Sequence, residues 1–198
     1  MSRLRIYQRE PEVYTLGPGK RYCLWVQGCP RRCPGCVSIH SQDPQGGYWM
    51  EPGAIAMEIR LSRPDGITIS GGEPFLQAKA LAQMLGILRE QMRCDLGVIV
   101  YTGYTLEELE TVPDAGLLLP YIDLLIDGPY VRELDDGLSL RGSANQRVIP
   151  LTERYRKPEV LELYGQKTRT VQIIPHGFGI SRVGVINPSD TDYKEIKT

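Results

Sequence analysis

No run of apolar residues in this chain approaches the length of a membrane span, and no apolar leader follows Met1. An excess of either charge is also missing. Lys and Arg number 23, Asp and Glu 24, and the formal net charge is -1. That balance invites neither a nucleic acid nor a membrane surface. Internal repeats and low-complexity segments are absent. Histidine is scarce, with only His40 and His176. A loop histidine is a surface group by default, although His40 follows a cysteine-rich loop that it could cover. Cysteine is limited to Cys23, Cys29, Cys33, Cys36 and Cys94. The odd count argues against a complete disulfide framework, and a chain of 198 residues builds a core without staples. The expectation is one domain with reduced thiols, in the cytoplasm.

What the chain does have is a dense group of thiols. Cys29, Cys33 and Cys36 are spaced C-x3-C-x2-C within eight residues. Soft ligands so placed favour an iron–sulfur cluster or zinc over hard cations. A closed site of either kind wants four protein ligands. Three thiolates on a four-iron cluster leave one iron open to a small molecule. The alternative on spacing alone is a closed structural site that borrows Cys23 or Cys94. Cys23 sits in a strand-like run and Cys94 follows an apolar helical stretch, and a buried cysteine in such a place usually behaves as a small apolar residue.

Alternation of strands and helices surrounds this loop. Residues 21–27 read as a strand, and the cysteine loop runs on to about Gln45. Residues 51–61 carry apolar positions at helical spacing, 66–70 form a short buried strand, and 74–92 form an amphipathic helix. Residues 96–101 and 121–126 are further strands. Thr105 is a candidate N-cap, with Glu108 placed to close a capping box. Such alternation implies a parallel sheet with right-handed crossovers, to about Ile126. Later strands are expected at 170–174 and 182–186, followed by a polar, frayed tail at 190–198.

The second signal is Ser70-Gly71-Gly72-Glu73-Pro74, where a strand ends and a helix begins. Ligands bind at the carboxyl ends of parallel strands. Paired glycines let backbone groups approach a ligand closely, and Pro74 suits the first position of a helix. Taken alone, the run is equally a tight turn with a capping acid. Beside a three-thiol loop it reads as a grip for an amino acid head group that chelates an open iron.

Together these segments resemble the radical S-adenosylmethionine enzymes, and among them the activating proteins of anaerobic ribonucleotide reductase. The narrower likeness rests on Leu16-Gly17-Pro18-Gly19-Lys20-Arg21, the cysteine loop, Asp65 to Pro74, Tyr101 to Leu109, Asp123 to Gly128 and Leu140 to Gln146, in family order over roughly residues 14 to 150. The resemblance implies an α/β fold, a partial (βα)6-like barrel with a mostly parallel open sheet and outer helices. Residues 1–150 would be the core, and 151–198 an extension packed on the same domain. It implies that Cys29, Cys33 and Cys36 bind a [4Fe-4S] cluster whose fourth iron takes S-adenosylmethionine. Gly71, Gly72 and Glu73 would hold the amino group, mainly through backbone. Thr102 and Gly103 would lie near the ribose or methionyl part, with Ser143 and Asn145 as further polar contacts. The implied activity is reductive cleavage of the cofactor to a 5′-deoxyadenosyl radical. That radical would place a glycyl radical on a protein such as anaerobic ribonucleotide reductase, with electrons from a low-potential donor such as flavodoxin or ferredoxin.

Departures from the wider family carry their own expectations. Gly35 stands where many such enzymes place an aromatic residue. No lysine follows the strand at 121–126, so Arg141 or Arg147 is the candidate for a carboxylate contact. Asp127 would face the site or remain a solvated turn residue. Tyr22 and Trp25 flank the cysteine loop and either shield it or belong to the core. Arg31 and Arg32 would meet an acidic partner surface or stay solvated. Residues 153–198, including His176, exceed a small activase and would complete the sheet, cover its open edge or recognise a different partner. Two other functions stay open: the same core acting on another peptide, nucleotide or small molecule, and a non-catalytic iron–sulfur or zinc module.

Overall fold

Period-2 alternation builds the centre of the molecule. In the strand Arg21–Val26, Tyr22, Leu24 and Val26 point to one face and Arg21, Cys23 and Trp25 to the other. The structure is a computed structural model, and it describes residues 2–166, 169–177 and 179–186; the polar tail expected at 190–198 lies outside them. Seven strands form one sheet: β1 Leu4–Val13, β2 Arg21–Val26, β3 Tyr48–Met50, β4 Gly66–Gly71, β5 Gly97–Tyr101, β6 Leu124–Asp127 and β7 Arg147–Pro150. Their spatial order is β3-β1-β2-β4-β5-β6-β7. The strands β2, β4, β5 and β6 run parallel to their neighbours in that row, while β1, β3 and β7 pair antiparallel at the two sides. The fold is therefore mixed α/β with a parallel centre and open ends, and four strands rather than six share the parallel direction.

One face of the sheet buries the main core. The helices α1 Pro52–Ser62, α2 Ala78–Gly86 and α3 Ala115–Leu118 lie on it, and Ile55, Ile59, Leu81 and Met84 pack against Tyr22, Leu24, Ile67 and Val100. Tyr22 belongs to this core, and its hydroxyl donates to Glu58 Oε1 at 3.0 Å. The helix expected over 74–92 is three pieces. A 3₁₀ turn at Pro74–Gln77 leads into α2, which loosens after Gly86 into a π turn at Ile87–Gln91. Thr105 and Glu108 do form the reciprocal capping box, at 2.8 and 3.2 Å, but only a 3₁₀ turn, Glu108–Thr111, follows it.

The opposite face carries an unusual load of polar groups. Arg21 is fully buried there. Among the described residues no carboxylate pairs with it. It donates to Thr68 Oγ1 at 2.9 Å, Tyr155 OH at 2.8 Å, Gly97 O at 2.9 Å and Ile67 O. Tyr155 shares a cluster with Ile99, Leu124 and Ile126. Further along this face a hairpin of β8 Gln172–His176 and β9 Gly179–Val183 covers Val13, Leu16, Cys23 and Trp25. Polar contacts also tie the hairpin to β1 and the residues just after it: Gln8 Nε2 donates to Ser181 Oγ at 2.7 Å, Thr15 Oγ1 donates to Val183 O at 2.9 Å, and Tyr14 N donates to Gln172 Oε1 at 2.9 Å. His176 closes the set, 2.8 Å from Ser181 Oγ and 3.2 Å from buried Glu10. A helix, α4 Pro158–Gly165, precedes it.

Candidate functional site

The loops that leave β2 and β4 at their carboxyl ends are stitched together through backbone. Gly72 N donates to Val26 O at 2.7 Å, and Glu73 N donates to Gly28 O at 2.8 Å. The cysteine loop is anchored in turn, since Gly28 N donates to Ser41 O and Cys29 N to Gln42 O, at 2.7 and 3.1 Å. These approaches explain the glycine pair. Gly71 has φ +102, and a Cβ on Gly72 would lie 2.2 Å from Gly28 O.

Beside this seam opens a cleft of about 370 Å³. Cys29, Cys33 and Cys36 all line it, together with Ser70, Gly71, Gly72, Glu73, Thr102 and Gly103. The thiols are free and half-buried. Burial raises the pKa of Cys29, with help from the charges of Glu73 and Cys36, against hydrogen bonds from the Arg31 and Arg32 backbone. Among the described residues no three His, Cys, Asp or Glu side chains are drawn together as a ready-made metal group. The donor chemistry nevertheless fits a soft metal centre: three thiols on one cleft wall, next to a backbone seam with no room for a side chain. The fourth thiol of a closed site is not in this cleft. Cys23 is buried on the inner face with Val13 and Leu16, and desolvation pushes its thiol up to about 12. Cys94 packs on the core of the helical face.

Glu73 is the knot of the site. The residue is 1% exposed. Oε1 accepts from Phe75 N at 3.0 Å and Thr102 Oγ1 at 2.8 Å, and Oε2 accepts from Gly103 N at 2.8 Å. Burial raises its pKa, and these three bonds and the nearby charge of Arg31 only partly offset that. The side chain thus ties the end of β4 to the end of β5. Thr102 is spent in the same way, since its Oγ1 also accepts from Tyr104 N at 3.1 Å.

Ser143 and Asn145 are placed differently from the residues above. Neither lines the cleft. Buried Ser143 accepts from Val131 N at 3.1 Å, and Asn145 Nδ2 donates to Pro129 O at 2.7 Å. Both brace the loop from Gly128 onward, whose Gly128, Tyr130, Gly142 and Gln146 do reach the cleft. The two arginines considered for a carboxylate are committed to protein acids. Arg141 pairs with Asp136, and Arg147 with Glu107 and Asp127. Asp127 is neither solvated nor in the cleft. It is fully buried, and it also accepts from Leu106 N at 2.8 Å.

Several cleft residues were not evident from sequence. Trp25 lines the cleft, but so do Gln8, Tyr101, Tyr130 and the stretch Ile180 to Ile186 after and within β9. Gly35, at φ +73, leaves space that Arg132 and Tyr130 fill, with a Cβ there only 3.2 Å from Arg132 Cδ. Arg32 is exposed, whereas Arg31 is held, stacked 4.6 Å from the Tyr104 ring centroid and paired with Glu108 at 2.7 Å. His40 is exposed and stays outside the cleft.

Comparison with known proteins bears directly on this site. Residues 15–149 match the family described as a 4Fe-4S single cluster domain. The chain is similar to proteins named anaerobic ribonucleoside-triphosphate reductase-activating protein. That of Vibrio cholerae is 38% identical over 157 residues, 75% of this chain and 99% of the relative. That of Haemophilus influenzae is 38% identical over 154 residues, 74% of this chain and 96% of the relative. That of Pasteurella multocida is 36% identical over 155 residues, 74% and 97%.

Proposed function

Because the chain belongs to the family of anaerobic ribonucleoside-triphosphate reductase-activating proteins with a 4Fe-4S single cluster domain, we propose that it is a radical S-adenosylmethionine enzyme that installs a glycyl radical on anaerobic ribonucleotide reductase. One observation carries the reading. Three thiols, and no fourth, line the same cleft as the Gly71–Gly72 seam. Cys29, Cys33 and Cys36 would hold a [4Fe-4S] cluster, with S-adenosylmethionine on the open iron. Once bound, that pair supplies the low-potential electron and the 5′-deoxyadenosyl radical that takes hydrogen from the target.

The chain's own residues bind, orient and shield. The amides of Gly72 and Glu73 are already spent on Val26 and Gly28, so the turn has carbonyl oxygens to offer, and carbonyls accept from an ammonium group. Glu73 and Thr102 hold that turn at a fixed distance from β5 rather than touching the ligand with their side chains. Gly103 lets a ligand and Arg31 approach the end of β5. Ser143 and Asn145 keep the wall after β6 in place. Leu16, Trp25, Val37 and Val185 add apolar surface that limits water. In this reading residues 1–150 are the core and 151–198 an extension of the same domain. No helix among the described residues is long and apolar enough to cross a membrane. The enzyme would work in the cytoplasm with flavodoxin or ferredoxin as donor.

Anaerobic reconstitution tests the proposal. Roughly four irons per chain, release of methionine and 5′-deoxyadenosine on reduction, and a glycyl radical signal on co-incubated reductase are expected. Bound zinc, or a cluster indifferent to S-adenosylmethionine, would refute it. A second reading has one observation in its favour. The cleft wall from Ile180 to Ile186 lies beyond the matched family region, which suits a different peptide, nucleotide or small-molecule target. Cofactor cleavage without any radical on the reductase would select that reading.

A further inference from the structure

Three buried side-chain polar atoms among the described residues lack a hydrogen-bond partner: Gln27 Oε1, Arg31 Nε and Tyr101 OH. Two of the three, Arg31 and Tyr101, belong to residues that line the cleft. Buried donors are normally satisfied, and each exception needs a physical reason. A missing acceptor from a bound molecule is such a reason, and two exceptions in one cleft point to one molecule with two acceptors.

The two groups are held rather than loose. Arg31 leaves the loop between Cys29 and Cys33. Tyr104 stacks on its guanidinium and Glu108 takes Nη2 at 2.7 Å. Its Nε lies 2.9 Å from where a Cβ on Gly103 would stand. The cation is therefore fixed in orientation, with its Nε–H unspent. Tyr101 ends β5 on the inner face, lines the cleft and packs against the Ile99, Leu124, Ile126 and Tyr155 cluster. Burial raises its pKa further above the usual phenol range, so it is an O–H donor at any working pH. Arg141 and Arg147, the other guanidinium candidates, are bonded to Asp136, Asp127 and Glu107. Arg182 also lines the cleft and serves as the comparator below.

We propose that Arg31 Nε–H receives the carboxylate of S-adenosylmethionine and that Tyr101 O–H donates to a second acceptor of the same molecule, so that these two side chains set its orientation against the Gly71–Gly72 seam. This rests on the functional reading above. A guanidinium–carboxylate contact is charge-assisted, and the phenol contact is neutral, so the two differ in strength and are separable.

The test is equilibrium binding to the reconstituted, iron-loaded protein under anaerobic conditions, using S-adenosylmethionine and its decarboxylated form. Arg31→Met should weaken the carboxylated ligand by about tenfold to a hundredfold and leave the decarboxylated one within about twofold. Arg31→Lys, which keeps the charge but not the planar donor, should fall between. Tyr101→Phe should weaken S-adenosylmethionine about threefold to tenfold, while the unliganded protein melts no lower, because that hydroxyl has no partner to lose. Equal losses for both ligands in Arg31→Met, or loss of the carboxylate preference in Arg182→Met while Arg31→Met keeps it, would overturn the Arg31 assignment. A lower melting temperature of unliganded Tyr101→Phe would make that hydroxyl structural. Wild-type protein that binds neither ligand would instead overturn the functional reading itself.

Discussion

Glu73→Gln tests the idea that this carboxylate is a fastening between two strand ends. The native side chain accepts three hydrogen bonds, from Phe75 N, Thr102 Oγ1 and Gly103 N. A glutamine has one acceptor oxygen. If it keeps the Phe75 and Thr102 bonds, its amide faces the Gly103 N–H, donor against donor. One charge-assisted bond is lost, about 1.5–3 kcal/mol, and a part-buried amide is left without its acceptor. Removing the desolvated charge returns some of this. The net cost is roughly 2 kcal/mol, or about 4–8 °C in melting temperature for a chain of this size. The cost also depends on pH. Burial is the leading cause of the raised Glu73 pKa, so the folded protein binds the proton more tightly than the unfolded chain. Wild-type stability is then greatest below the ordinary glutamate pKa of about 4.3 and declines as pH rises through the raised native value. Glutamine does not titrate, so the gap between the two proteins should be wider at pH 5 than at pH 8. Urea unfolding of the metal-free proteins at both values measures it. A gap that widens with pH would mean that the native site stabilises the anion, and the account of Glu73 as a desolvated knot would fail.

Three further outcomes follow from the same structure. Replacing Cys29, Cys33 or Cys36 by alanine should abolish iron retention and cofactor cleavage, while Cys23→Ala and Cys94→Ala keep both; iron analysis and visible absorption after anaerobic reconstitution decide it. Arg147→Ala strands the fully buried Asp127 and should cost about 2–3 kcal/mol, below the range for a wholly buried pair because the Arg147 side chain is itself 45% exposed, whereas Glu107→Ala should stay within about 0.5 kcal/mol; denaturant titrations compare them. Gly72→Ala forces a Cβ toward Gly28 O at 2.2 Å and should weaken S-adenosylmethionine binding more than tenfold, while Gly116→Ala, with nothing within 4 Å, should stabilise by about 0.5–1 kcal/mol; calorimetry reads both effects.

The parts of the fold legible in sequence were those set by local pattern. The strands β2, β4 and β5 show apolar runs bounded by glycine, and the cysteine loop and glycine pair fall at their ends. The first strand, β1, escaped because Arg5, Gln8, Arg9, Glu10 and Glu12 hide its alternation and because its pairing with β2 slips twice, between Ile6 and Gln8 and between Glu10 and Val13. The strands β3 and β7 are three and four residues long, too short to carry a period. Within the site, backbone-driven features could be read, since a glycine pair between a strand and a helix is a statement about space. The commitments of side chains could not. Whether Asp127 meets solvent, ligand or Arg147 depends on a register 20 residues away, and Arg31 acquires its meaning only when Tyr104 and Glu108 arrive beside it.

The same distinction predicts how a mutational scan of this cleft should divide. Glu73, Thr102, Ser143 and Asn145 all lie in motifs that point to cofactor contact, yet each spends its side chain on other protein groups, Glu73 and Thr102 between two strand ends and Ser143 and Asn145 within the loop after β6. Their replacement should therefore move stability first, and affinity only through displacement of the loops. Tyr101 has the reverse character, because its hydroxyl has no partner to lose in the free protein, and Arg31 shares it at Nε alone, its Nη2 being paired with Glu108. Plotting ligand affinity against unliganded melting temperature for all six single variants should place Glu73→Gln, Thr102→Val, Ser143→Ala and Asn145→Ala on a line where both fall together. Tyr101→Phe should leave that line, with weaker binding at undiminished stability, and Arg31→Met should lie off it too, losing more affinity than the modest stability lost with its Glu108 pair and Tyr104 stack would carry. If all six fell on one line, the cleft would be a single cooperative scaffold, and assigning separate holding and reading roles to its residues would be wrong.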